Sequence, residues 1–208
     1  MKRGLTKLLR RSWLEGAVDA YLESIVDSGQ ETGLIHASWL LSSEEEIYQR
    51  LVDPGPPGKI HAKLRRMFDD GIDLQRRYIS YFRGAGILYE PEGWDEERGV
   101  RVVDEKYGIV GHIDALIRTP EEILVPVELK AYNSQLFKRF RYHPRIEHYH
   151  QLQMYLYLWD APYGYLLPEN KDDQSMNPLK VFRDEEMINT ALSKATTVWN
   201  KVKEDLNV

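Results

Sequence analysis

From Ile123 to Leu129 the chain reads Ile-Leu-Val-Pro-Val-Glu-Leu, apolar throughout except for one carboxylate, Glu128, and Lys130 follows two residues after that acid. An unbroken apolar run of this length predicts a central strand buried on both faces. A carboxylate inside such a run is costly unless something compensates it. The plainer alternative is that Glu128 and Lys130 are polar residues on a solvated face. Just before lies the turn Pro120-Glu121-Glu122, and before that an extended stretch from Ile109 to Ile117. So few residues join the two stretches that an antiparallel hairpin is expected.

Around this hairpin the hydrophobic period changes. Upstream, residues 13–27 predict a helix with Leu14, Val18, Tyr21, Leu22 and Ile25 on one face. Ser43-Glu44-Glu45-Glu46 fits a capping box and opens a second, short helix. The stretch from Asp53 to Gly58 is a turn or linker, rich in proline and glycine. Residues 59–84 predict a helix with Ile60, Leu64, Met67 and Phe68 on its apolar side, weakened at Gly71. Strands are expected at Arg101–Val103, Tyr163–Leu167 and Leu179–Phe182. Helices are expected at 146–159 and from Asp184, the latter carrying Ile188, Leu192, Ala195, Trp199, Val202 and Leu206 on one face. The expectation is an α/β fold with a mixed central sheet flanked by helices. An N-terminal helical region (1–98) would pack on a core (99–208) in one compact domain overall.

With 208 residues there is enough chain for a sizeable core. The absence of cysteine excludes disulfides, zinc-thiolate sites and iron–sulfur clusters, and is compatible with a reducing cytoplasm. No run approaches a membrane span. The basic start (Lys2, Arg3, Lys7, Arg10, Arg11) meets Trp13-Leu14-Glu15-Gly16 rather than a long apolar stretch, so it is read as the first turn of a helix and not as a signal peptide. The net charge is −5, but the bases cluster at Lys63-Arg65-Arg66, Arg76-Arg77 and Lys138-Arg139-Arg141-Arg145. Binding a polyanion depends on where charge sits rather than on its sum.

The chemistry concentrates in the middle third. Gly111-His112-Ile113-Asp114 precedes Glu128-Leu129-Lys130, and Gln151 and Tyr155 follow, four apart on one helix face. Adjacent antiparallel strands lie about 5 Å apart, so Asp114, expected in mid-strand, and Glu128 can share a divalent cation. The main-chain carbonyl of Leu129 offers a third oxygen of the kind magnesium accepts. Lys130 leaves its strand on the same face as Glu128. There it can orient an attacking water and offset charge building on a phosphate. Such a set serves metal-dependent cleavage of a phosphodiester. Tyr157 and Trp159 are expected to pack in the core, whereas Gln151 needs a hydrogen-bond partner. His112 is either a support for Asp114 or a packing residue. His148 and His150 do not share a helix face and are not expected to form a metal cluster.

Phe137-Lys138-Arg139-Phe140-Arg141-Tyr142-His143-Pro144-Arg145 interleaves cations with aromatic rings. That pattern suits a nucleic-acid strand, with cations on phosphates and rings on bases. It is expected to be a mobile loop over the site that orders on DNA; the plain alternative is a solvated surface loop. Lys171 is either a phosphate contact or a solvated turn lysine.

Gly-x-x-Asp, Glu-x-Lys and Gln-x-x-x-Tyr in this order and spacing resemble the PD-(D/E)XK nuclease superfamily in its RecB-type branch. The stretch from Gln151 to Trp159 and on to Gln174 looks like the phage-borne single-domain members, and the likeness covers roughly residues 67–192. The resemblance implies a restriction-endonuclease-like core and a DNase, most often an exonuclease of replication, recombination or repair. One or two Mg²⁺ or Mn²⁺ ions would sit on Asp114, Glu128 and the Leu129 carbonyl. Lys130 would be catalytic, and Gln151 and Tyr155 would position the strand or the lysine. Lys138, Arg139, Arg141, Arg145, Lys171 and Gln75 would face DNA, in the cytoplasm of a bacterial or phage-infected cell. A homo-oligomer or a replication or recombination partner is compatible with it. Gln75 stands where such enzymes commonly carry a metal-binding histidine, and Glu90 or Glu92 is the upstream acid that would compensate. Lacking cysteine, the chain corresponds to a cluster-free relative of the CRISPR-adaptation nucleases. A structure-specific endonuclease and a nucleic-acid-binding subunit with a degenerate site are the competing readings.

Overall fold

The computed structural model describes residues 13–25, 33–55 and 59–206. The basic start before Trp13, residues 26 and 27 of the first expected helix, residues 56–58 of the linker and the side chain of Leu206 lie outside the described residues. The chain forms two compact units, one of residues 1–30 and 55–70, the other of 31–54 and 71–208.

In the first unit, helix α1 (Trp13–Ser24) and the opening turns of α3 (Ala62–Gly84) are joined by polar contacts. Arg66 forms a 2.6 Å ion pair with the buried Asp19, and Arg65 donates to the carbonyl of Ile25 at 3.1 Å. The apolar stripes expected to be covered are instead at the surface: Leu14, Val18, Tyr21, Leu64, Met67 and Phe68 are all exposed. The ion pair between the helices takes the protected place that periodicity assigns to those side chains.

The second unit holds both sheets. Strands β1 (Ile35–His36), β4 (Ile109–Ile113) and β3 (Val100–Asp104) form a three-stranded sheet in that order, with β1 parallel and β3 antiparallel to β4. A five-stranded sheet runs β2 (Leu88–Tyr89), β5 (Ala115–Arg118), β6 (Leu124–Tyr132), β7 (Tyr163–Asn170), β8 (Leu179–Phe182). Its β6–β7 pair is parallel and the others antiparallel, so both sheets are mixed. The β5–β6 pair is the expected hairpin. The parallel β6–β7 pair needs a crossover, which α4 (Ser134–Arg139) and α5 (Ile146–Leu158) supply. The capping box at α2 (Glu44–Val52) is formed: Ser43 accepts from the Glu46 N–H, and Glu46 accepts from the Ser43 N–H at 3.0 Å.

Alternation along β6 sorts its side chains. Val127 and Leu129 pack with Leu74, Tyr78 and Ile79 of α3. On the other face, Leu116 and Leu166 pack with Leu152, Leu156 and residues of α6 (Glu185–Leu206), including Ile188 and Ala195. This is the restriction-endonuclease-like α/β arrangement, a mixed sheet with helices on both faces. No described helix is long and apolar enough to cross a membrane.

A second buried carboxylate, Glu169 on β7, ties α3 to the sheet. It accepts from Arg77 at 2.7 Å and from the Tyr78 hydroxyl at 3.0 Å. Removing one partner of a buried charge leaves the other uncompensated. Arg77→Met is therefore expected to destabilise the protein by about 2–3 kcal/mol in urea unfolding, and Arg77→Met/Glu169→Leu to recover part of that. A single variant as stable as the wild type would refute this role.

Candidate active site

Asp114 is the one residue between β4 and β5, where the chain leaves the three-stranded sheet for the five-stranded one. The expected mid-strand position is thus a break between two strands. The β5–β6 ladder begins at Ala115↔Val127. Beyond it, the Asp114 side chain takes over the pairing: its Oδ2 accepts the N–H of Leu129 at 2.7 Å. This bond fixes the carboxylate beside β6 at the level of Glu128.

Glu128 is fully buried, on the α5 side of the sheet, and forms an ion pair with Lys130 two residues on. The pairing leaves both carboxylate oxygens without a well-directed hydrogen bond. Burial, and then the neighbouring Asp114 carboxylate, push Glu128 up to about 8. Burial also raises Asp114, against the pull of Lys130 and of the Leu129 N–H. Lys130 itself is held above its usual value: burial opposes its charge, but Glu128 and Asp114 outweigh that. One ammonium thus faces two carboxylates in an apolar setting.

Tyr155 from α5 closes the same face. Its hydroxyl accepts from Gln151 Nε2 at 2.8 Å and from the main chain of His112, while burial and the two carboxylates push it far above its usual value. Gly111 makes room for it, since a Cβ there would stand 2.8 Å from Tyr155 Cε1. The Gly-x-x-Asp spacing therefore serves the tyrosine as much as the acid.

The remaining expected residues distribute as follows. Gln75 is buried and its amide lies 3.4 Å from the carbonyls of both Asp114 and Glu96, bracing main chain rather than presenting a ligand. Glu90 is engaged by Arg83 at 2.7 Å, and Glu92 is exposed. The basic segment is not one loop. Asn133 caps α4, so Lys138 and Arg139 sit in the last turn of a helix, and Arg145 stands at the N-cap position of α5 with no side-chain cap bond. Arg139 and Arg145 lie 5.3 and 6.0 Å from the Phe140 ring, and Arg141 lies 5.5 Å from that of Tyr142. Lys171 is exposed in the β7–β8 turn, its N–H on the Tyr132 carbonyl at 2.7 Å.

His148 and His150 diverge as expected. His148 meets Tyr132, whose hydroxyl lies 2.5 Å from its Nδ1. His150 lines a separate cavity of about 320 Å³ with Asp184 and Lys194. Sequence reasoning passed over Tyr132, although it is the next residue after Glu128 and Lys130 on the same strand face. Among the described residues no three acid or histidine side chains converge on one point. A cation here would rest on two carboxylates, a main-chain oxygen and water, which is a normal set for magnesium.

No protein-family model and no curated protein matches the sequence. Solved structures do share the fold. The alkaline exonuclease LHK-Exo from Laribacter hongkongensis superposes with a TM-score of 0.59 at 16% identity, over 84% of this chain and 90% of that one. LHK-Exo in complex with dAMP gives 0.62 at 14%, over 92% and 94%. A phage-related exonuclease from Haemophilus somnus 129PT gives 0.54 at 13%, over 85% and 97%. At these identities the likeness establishes a common fold.

Burial, then Lys130 and Arg145, hold His148 down at about 3. Its folded-state value lies below the unfolded one, so the unfolded chain binds the proton first. Stability is lost as pH falls from about 6.5 toward 3. His148→Asn, which cannot take up that proton, is expected to lose about 1–3 kcal/mol less than the wild type between pH 7 and pH 4. Parallel acid losses in urea unfolding would show that His148 is not held neutral.

Proposed function

We propose that this protein is a divalent-metal-dependent deoxyribonuclease, and within that class an exonuclease. The reading rests above all on Glu128: a fully buried carboxylate without a well-formed hydrogen bond, beside Asp114, with a single ammonium to offset both. A carboxyl buried in this way resists ionising, and burial and Asp114 push Glu128 up to about 8; a divalent cation would be the natural complement of its ionised form. The residues fit such an ion. Asp114 and Glu128 would hold it. The Leu129 carbonyl leaves an extended strand on the same side as its N–H, and that N–H points at Asp114. One or two Mg²⁺ or Mn²⁺ ions are proposed, the first on this pair. A bound ion supplies Lewis acidity toward a phosphate oxygen and lowers the pKa of a water.

The chain's own residues then divide the work. Lys130 orients the attacking water and offsets charge developing on the phosphate. Gln151 holds the Tyr155 hydroxyl in place, and together they position Lys130 or the substrate strand. Gln75 keeps Asp114 in register from behind. Lys138, Arg139, Arg141, Arg145 and Lys171 meet phosphates, while Phe140 and Tyr142 offer rings to bases. The shared fold with exonucleases from a bacterium and of phage-related origin supports DNA ends as the substrate. The role we infer for the protein is in replication, recombination or repair in a bacterial or phage-infected cell.

The test is cleavage of end-labelled linear DNA, single- and double-stranded, beside a closed circle, with Mg²⁺, Mn²⁺ or EDTA. Metal-dependent loss of the linear substrates with the circle spared is expected, and Lys130→Ala should lower the rate by at least about a hundredfold. Cutting of the circle would make it an endonuclease. Retained DNA binding with no cleavage under either metal would make it a binding module.

A further inference from the structure

Tyr132 and His148 form a buried pair at the edge of this site. Strand alternation places Glu128, Lys130 and Tyr132 on one face of β6. The Tyr132 ring is buried, its hydroxyl is 2.5 Å from His148 Nδ1, and the two rings are nearly parallel, at 17° with centroids 5.7 Å apart. The Phe140 ring lies tilted beside the tyrosine, with centroids 6.0 Å apart.

The direction of that hydrogen bond is set by the His148 tautomer: in the Nε2–H form, Nδ1 accepts from the Tyr132 hydroxyl. Lys130 and Arg145 both act on His148 and, with burial, keep the imidazole neutral. Burial likewise keeps the Tyr132 phenol protonated, its value pushed up to about 12. With His148 neutral and its proton on Nε2, Nδ1 takes the phenol's proton into the bond. The lone pairs of the phenol oxygen are then free to accept. Lys130 is within electrostatic reach of both groups, and carries three N–H donors. As the site stands it is ion-paired with Glu128, and Asp114 also acts on it.

We propose that Tyr132, oriented by His148, is a positioning residue for Lys130: it takes the ammonium when Glu128 turns its oxygens to a cation. This rests on the metal-dependent reading above. Without another acceptor, ammonium and cation compete for the same two carboxylates. With it, Lys130 swings from Glu128 to the Tyr132 oxygen and stays within the site, on the strand that carries both. His148 matters through the proton it accepts. If the phenol had no such acceptor, its O–H would itself turn toward the carboxylate and compete for it.

The experiment pairs Mn²⁺ calorimetry with DNA cleavage for wild type, Tyr132→Phe, His148→Leu and His148→Asn. Tyr132→Phe keeps the ring and its packing and removes one oxygen. It should weaken Mn²⁺ binding about tenfold and lower kcat about tenfold, with KM for DNA within twofold. His148→Leu should do the same, and Tyr132→Phe/His148→Leu should be no worse than either alone. His148→Asn retains an acceptor near the position of Nδ1 and should restore most of the loss, which a purely packing role would not predict. Mn²⁺ affinity of Tyr132→Phe within twofold of wild type, or His148→Asn as impaired as His148→Leu, would overturn the proposal. If the wild type binds Mn²⁺ but cuts no DNA, the nuclease reading fails and the calorimetry alone decides this one. If it binds no Mn²⁺, both fall.

Discussion

Everything in the second unit is arranged around two carboxylates and one ammonium held in an apolar sheet. Asp114 extends the β5–β6 pairing to Leu129, Glu128 is fully buried, and Lys130 balances only part of their charge. Such a cluster is retained only if the surrounding fold over-determines it. The packing on both faces does so. Val127 and Leu129 are clamped by α3, Leu116 and Leu166 by α5 and α6, and Tyr155 lies over the gap that Gly111 opens. The electrostatic cost that remains is local to Asp114, Glu128 and Lys130.

Much of this was legible in the sequence, for reasons that can be named. Two extended stretches joined by only a few residues around Pro120 announced the β5–β6 hairpin. The isolated acid in Ile123–Leu129 announced a buried charge, and the i, i+2 spacing put Lys130 beside it. Gln151 and Tyr155 proved to be each other's partners because four residues make one helical turn. Other features carried no local signal. Asp114 ends one strand and starts the next because two ladders diverge there, and nothing within Ile113-Asp114-Ala115 records which strand lies alongside. β1 and β2 are two residues each, too short for any period to register. The α4 helix is set by the Asn133 cap within a stretch whose cations and rings suggest an irregular loop. On α1, periodicity named an apolar stripe, but the Asp19–Arg66 pair took the protected place.

Exonucleases of the same fold share only 13% to 16% of their residues with this chain. A fold at such low identity hosts many activities, so function has to be argued from the site itself. An apolar cavity of about 320 Å³ under α3, lined by Tyr78, Phe82, Val127, Leu167 and Met176, is a well-formed hollow of this molecule, yet it holds no acid. The charge cluster lies on the other face of the same strands. Position in the sheet and chemistry of the donors, rather than size of a hollow, identify the site.

The most direct measurement is the anomalous diffraction of a crystal grown with Mn²⁺. The account predicts a peak bound by the Asp114 and Glu128 carboxylates and the Leu129 carbonyl, with Lys130 withdrawn from Glu128. An empty site with Lys130 still paired to Glu128 at saturating Mn²⁺ would contradict it.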